Sequence, residues 1–151
     1  MELAGEHLTV PLNWTAAVHP AGEAMGEPSN CAGVSATGWR NIYGFVSIDL
    51  PMSALLPPIK AAASGEGINS AGLTVSEHTL RQSVYQTPID GAHPLGRNVC
   101  YQDFTAWALG SFGSVNELVD ALHKSDLAVI SEAEHHSGDG LHWGVDDAHG
   151  A

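Results

Sequence analysis

Apolar residues alternate with small or polar ones along Gly44-Phe45-Val46-Ser47-Ile48-Asp49-Leu50, the period-two pattern of a half-buried strand. Further on, Gly67-Ile68-Asn69-Ser70-Ala71-Gly72 collects residues that tolerate positive φ or make side-chain turns, and Leu73, Thr74 and Val75 then suit an extended segment reaching Leu80. The period changes after Tyr101. Phe104, Trp107 and Ala108 stand at i, i+3 and i+4, which predicts a helix over 101–109, with Gly110 and Gly113 bracketing a break. Ser114-Val115-Asn116-Glu117 is a capping box, and Val115, Leu118, Val119 and Leu122 make the apolar stripe of a second helix closed by His123 and Lys124. Leu127-Ala128-Val129-Ile130 reads as a strand or an extended exit from that helix, and residues 142–147 as another strand. Residues 8–12 make a short strand candidate that Pro11 confines to an edge or an end. Residues 18–38, 52–59, 85–97 and 131–140 carry the Gly, Pro, Ser and polar content of connections, with one helical turn the most that Pro57 and Pro58 allow in the second. Strands, then two helices, then strands again predict an α+β fold rather than a doubly wound parallel sheet.

Length and composition narrow this picture. The 151 residues suit one domain, and 44% hydrophobic content supplies a core. The formal charge is −12 with five basic residues, so nucleic acid and anionic membrane surfaces are excluded as expected partners. With no apolar run of about 18 residues and no basic-then-apolar leader, the chain as written is expected neither to span a membrane nor to carry a secretion signal. Cys31 and Cys100 stand far apart and outside any C-x-x-C spacing, and are expected to be free thiols, with a disulfide between them left open by the sequence. Nine histidines tempt a metal assignment, since His135, His136, His142 and His149 crowd the last twenty positions with Glu132, Glu134, Asp139, Asp146 and Asp147. No two of these histidines have the i, i+4 spacing of helical ligands, so the segment reads as an acidic solvated loop, with no metal and no cofactor. No Gly-x-Ser-x-Gly elbow occurs, and a Ser/His/Asp triad would assemble in space without a local signature.

Four segments, in order, resemble one family. Gly67-Ile68-Asn69-Ser70-Ala71-Gly72-Leu73 is similar to its Gly-(Met/Ile)-Asn-x-x-Gly-Leu turn, and Trp39-Arg40-Asn41-Ile42-Tyr43-Gly44-Phe45-Val46 to the Trp-x-x-x-Tyr-Gly-Phe-Val strand before it. Phe104, Trp107 and Ser114-Val115 resemble its helix pair, and Leu141-His142-Trp143 with the acidic residues after it resembles a later strand. On these residues the chain resembles the choloylglycine hydrolase family, which contains bile-salt hydrolases and penicillin V acylases.

The resemblance implies part of an N-terminal nucleophile hydrolase with a four-layer αββα sandwich, residues 1–151 forming a single partial domain. It implies a cysteine exposed as the first residue of the mature chain, with its own α-amine as general base. Met1-Glu2 matches the end of a Gly-Arg-x-Met-(Asp/Glu) motif, which places the nucleophile and an arginine upstream of these residues. A further asparagine and a second arginine are expected beyond the Leu141 strand. Two catalytic candidates remain. Glu2 falls where relatives carry an acid that bonds the nucleophile's amine, and Thr79 falls where they carry an asparagine or tyrosine near the oxyanion. Read from the residues alone, Glu2 is equally a frayed terminal charge and Thr79 a plain strand residue. Cys31 and Cys100 lie away from the nucleophile's place. The complete protein is thus expected to cleave a linear amide C–N bond in a small-molecule acyl amide, this chain being inactive alone, with homo-oligomerisation left open. The alternative is a truncated homologue that serves as a non-catalytic binding module.

Overall fold

A computed structural model describes residues 14–26, 38–51, 62–80, 82–89, 97–124, 127–131 and 140–150. The strand expected over 8–12 and the connection over 52–59 lie outside the described residues, as do Glu2 and Cys31.

The strands are β1 (Thr15–His19), β2 (Ala24–Met25), β3 (Trp39–Arg40), β4 (Phe45–Pro51), β5 (Ala62–Asn69), β6 (Thr74–Thr79), β7 (Arg97–Cys100), β8 (Leu127–Ile130) and β9 (Leu141–Asp146). Five of them form the main antiparallel sheet, in the order β1-β4-β5-β6-β9. The short strands β2 and β3 pair with each other, and β7 lies parallel to β8. A 3-10 turn over Tyr101–Asp103 leads into helix α1 (Phe104–Ser111), and α2 (Val115–His123) follows. The α+β class is observed. Residues 18–38 are not a continuous connection, because Val18 and His19 complete β1 and a two-residue strand follows.

Helix α1 sets which side of the sheet is buried. Phe104, Thr105, Ala106, Trp107, Ala108, Leu109 and Gly110 are all buried, so the helix has no solvent face and lies between other elements. Gly110, expected to bracket the helix, falls inside it. A Cβ on Gly67 would stand 2.7 Å from Leu109 Cδ1, so that glycine in β5 is what lets the helix approach. Phe45, Leu73, Val75, Trp107, Leu109 and Leu118 share one core cluster.

Helix α2 starts as its capping box predicts, with Ser114 Oγ accepting from the Glu117 amide at 3.3 Å. The reciprocal contact shifts by one residue: Glu117 Oε2 accepts from the Gly113 amide rather than from Ser114. Asp147 Oδ2 accepts from the Val115 amide and so ties the end of β9 to the helix start.

Strand β4 alternates as its sequence predicts, and its polar face is the buried one. Ser47 and Asp49 are buried with Phe45 on the helix side, while Val46 is exposed and Ile48 and Leu50 are not. Cys100 is buried and disulfide-bonded, not a free thiol.

Candidate functional site

The turn between β5 and β6 is held by one side chain. Asn69 is buried, its Nδ2 donating to the carbonyls of Leu109 (2.9 Å) and Phe112 (2.6 Å). Its Oδ1 accepts from the amides of Ala71 (2.9 Å) and Leu73 (3.0 Å). Gly72 adopts φ +91°, which a side chain would strain. Asparagine is required because both halves of its amide are used: the carbonyl closes the turn and the amino group takes helix-end carbonyls that α1 cannot satisfy itself.

From that turn β6 runs to the other end of the sheet. Val75, Glu77 and Thr79 share the helix-side phase, opposite Val145, Trp143 and Leu141 of β9. Val75 is buried and Thr79 is exposed. Glu77, between them, is half-buried; its Oε2 and Trp143 Nε1 are both buried and find no hydrogen-bond partner among the described residues. Burial raises the Glu77 carboxyl from 4.5 to about 7. Tyr85 lies close enough to feel that charge. Burial raises its hydroxyl first, the bond it accepts from the Leu141 amide (2.7 Å) opposes this, and the Glu77 charge adds to it.

Tyr85 and Trp143, though not Glu77, line a cavity of about 390 Å³ together with Phe104, Val129 and Leu141 among others. The Phe104 and Trp143 rings stand 4.4 Å apart, centre to centre. A carboxyl raised by burial, paired across the strands with a residue that lines a cavity, marks this end of β6 as a candidate site. A larger hollow of about 700 Å³ runs along Trp39, Ile42 and Trp107, but its one charged lining residue, Arg40, is committed to the Gly22 carbonyl.

A second polar cluster assembles on the buried polar face of β4. Asp49 Oδ1 accepts from Ser47 (2.6 Å) and Ser64 (2.8 Å), and its Oδ2 lies 3.2 Å from His19 Nε2, whose ring stacks on Phe45. The residues are those of a hydrolytic triad in the wrong order. The carboxylate sits in the middle, so neither hydroxyl can pass its proton to the imidazole. His19 Nδ1 is 3.3 Å from Glu23 Oε2 on the ring's other side, a contact without hydrogen-bond geometry. This cluster joins β1, β4 and β5.

Of the two residues expected from sequence, Glu2 is outside the described residues, and Thr79 stands at the exposed end of β6, across from Leu141. The structure places Thr79 two residues from Glu77 on the same face. Glu77 was missed by sequence reasoning although it carries a signal: it continues the buried phase of Leu73 and Val75, where an unpaired carboxylate costs stability.

No family model and no curated protein matches the chain. Solved structures do. A penicillin V acylase from Agrobacterium tumefaciens superposes with a TM-score of 0.61 at 23% identity, covering 87% of this chain and 34% of that one. A conjugated bile acid hydrolase from Clostridium perfringens, solved as two variants, gives 0.60 and 0.62 at 17% and 19% identity, covering 91% of this chain and 38% of each of those. The chain therefore shares its fold with part of these enzymes and spans a little over a third of their length.

Proposed function

We propose that this chain is a scaffold portion of an amidohydrolase of the choloylglycine hydrolase and penicillin V acylase kind, cleaving a linear C–N amide bond. The observation that carries this reading is the superposition of about nine-tenths of the chain on two such hydrolases, together with the Gly67–Gly72 segment forming the β5–β6 turn itself. In this reading the described sheet and α1 belong to a four-layer αββα sandwich whose remaining layers are supplied by further sequence. The nucleophile is a cysteine exposed as the first residue of the mature protein, its α-amine taking the thiol proton. The thiolate attacks the amide carbonyl, the amine leaves, and water hydrolyses the thioester. Thr79, exposed at the end of β6, donates its hydroxyl to the developing oxyanion, and Glu2 accepts from the nucleophile's amine.

Two measurements test the proposal together. Genomic DNA upstream of Met1 is expected to encode, in frame, a Met-Cys followed by Gly-Arg-x. The protein begun at that cysteine is expected to hydrolyse penicillin V or glycocholate, while the 151-residue chain hydrolyses neither. A stop codon directly upstream, or robust turnover by the 151-residue chain, would overturn it.

A further inference from the structure

Strand β6 presents a second face, away from the helices. Val75, Glu77 and Thr79 point to the helix side, so Thr74, Ser76 and His78 stand on the other. On that face the register sets His78 directly opposite His142 of β9. Both side chains are exposed, with ring centres 5.3 Å apart and planes 31° from parallel. Ser76 Oγ lies 3.1 Å from His78 Nε2. The i, i+4 spacing of histidine ligands belongs to helices, so it is blind to a pair that antiparallel register assembles from two strands.

Two imidazoles side by side on neighbouring strands make a bidentate donor. With metal–nitrogen bonds of about 2 Å and a tetrahedral angle, two rings on one ion have their centres about 5 Å apart, and this pair already stands at that separation. The second torsion of a histidine side chain is broad, so turning two exposed rings onto one ion costs little. Stacking alone would account for two rings side by side. The serine adds what a ligand histidine takes from its neighbours: with Ser76 Oγ accepting from Nε2–H, the His78 ring is held and its lone pair stays on Nδ1. Imidazole suits zinc, nickel and copper(II), whereas magnesium and calcium require oxygen ligands. Strand β9 is the last in the order of the described sheet, next to β6, so an ion held by one histidine from each strand pins that edge.

We propose that His78 and His142 form a two-histidine site for a divalent transition ion of the zinc, nickel and copper class, which clips β9 to β6, with Ser76 positioning the His78 ring. Solvent completes the coordination. The inference does not rest on amide hydrolysis, and it holds or fails whether or not the complete protein is an amidase.

Calorimetric titration of zinc chloride into the 151-residue chain, with excess magnesium present throughout, tests it. A saturable step of one ion per chain is expected. His78→Gln and His142→Gln should each weaken that step by about tenfold or more, and the double variant by little beyond either, because two donors on one ion act as a unit. His149→Gln, an exposed histidine beyond the end of β9, should leave the step unchanged. Ser76→Ala should weaken it by about tenfold, and Ser76→Thr, which keeps the hydroxyl, should restore it. Circular dichroism of each variant separates lost binding from lost folding. One measurement needs no variant: less than one equivalent of copper(II) should broaden the ring proton signals of His78 and His142 together in the magnetic resonance spectrum of the parent chain. Zinc bound as tightly by both folded single variants as by the parent would overturn the proposal. So would a double variant that loses two ions where each single variant loses one, the mark of separate one-histidine sites. Copper broadening of one ring without the other, or no saturable zinc binding, would overturn it as well.

Discussion

The two ends of strand β6 are built on opposite rules. At the turn, Asn69 is buried with both halves of its amide hydrogen-bonded, joining the sheet to the end of α1. Toward the other end, Glu77 Oε2 and Trp143 Nε1 are buried with no hydrogen-bond partner among the described residues, and Trp143 lines a cavity. Both ends bury polar atoms, but only one satisfies them. A satisfied buried polar group specifies structure, whereas an unsatisfied one stores a cost that makes sense where something else is to bind. The turn that identifies the fold is therefore scaffold, and the chemistry is to be sought toward the far end of β6.

The largest effect should come from breaking the satisfied end. Asn69→Ala removes four hydrogen bonds and leaves the Leu109 and Phe112 carbonyls without that donor. Each lost bond is worth about 1 kcal/mol, and each stranded buried group costs more, so a loss of about 4 kcal/mol is expected in denaturant unfolding. A loss under about 1 kcal/mol would erase the distinction between the two ends. Next comes Gly67→Ala, whose Cβ would meet the Val46 carbonyl oxygen at 2.6 Å and Leu109 Cδ1 at 2.7 Å. The first contact presses on the β4 backbone and the second on α1, so both the strand pairing and the helix packing must give, and about 2–3 kcal/mol of destabilisation is expected by thermal or denaturant unfolding.

These positions also show what could be read in the sequence. Local rules carried the helices: Ser114 caps α2 where the capping box places it, because a cap is decided within four residues. They also carried β6, β8 and β9, where β-branched and aromatic residues mark extended backbone. They did not carry β5. Its sequence, Ala-Ala-Ser-Gly-Glu-Gly-Ile-Asn, has almost no strand propensity, and it is extended because β4 and β6 pair with it on both sides. The phase of β4 was legible only as a period, not as a direction. Ser47 and Asp49 turn inward because Ser64 and His19, distant in sequence, complete their hydrogen bonds. The Cys100 disulfide and the neighbourhood of Glu77 are likewise products of folding rather than of local pattern.

Glu77→Gln should act in the opposite direction from the first two substitutions. Burial raises the folded carboxyl to about 7 from 4.5, so the folded protein holds a proton over a window in which the unfolded chain has released it. Stability from this group is full below about pH 4.5, falls as pH rises through the window, and is lowest above about 7. Each tenfold difference in proton affinity between the folded and unfolded states corresponds to about 1.4 kcal/mol. The neutral amide should therefore stabilise the protein by about 2–3 kcal/mol at high pH and almost nothing at low pH. Unfolding curves of the two proteins at several pH values give the difference directly. A constant offset across the range would mean that burial of the charge is not what distinguishes this end.

Thr79→Ala is the smallest change to folding and the sharpest probe of where the chemistry begins. Thr79 is exposed and at the last position of β6, so losing its hydroxyl should shift stability by less than about 0.5 kcal/mol. If it donates to an oxyanion in the complete enzyme, the same substitution should lower kcat by about ten- to a hundredfold while leaving KM nearly unchanged, since such a bond forms in the transition state rather than in the bound substrate. Thr79→Ser keeps the donor and should restore most of the rate. An equal rise in KM with kcat intact would instead make Thr79 a substrate contact. A loss of folding would place it with Asn69, and the boundary between scaffold and site would move beyond the end of β6.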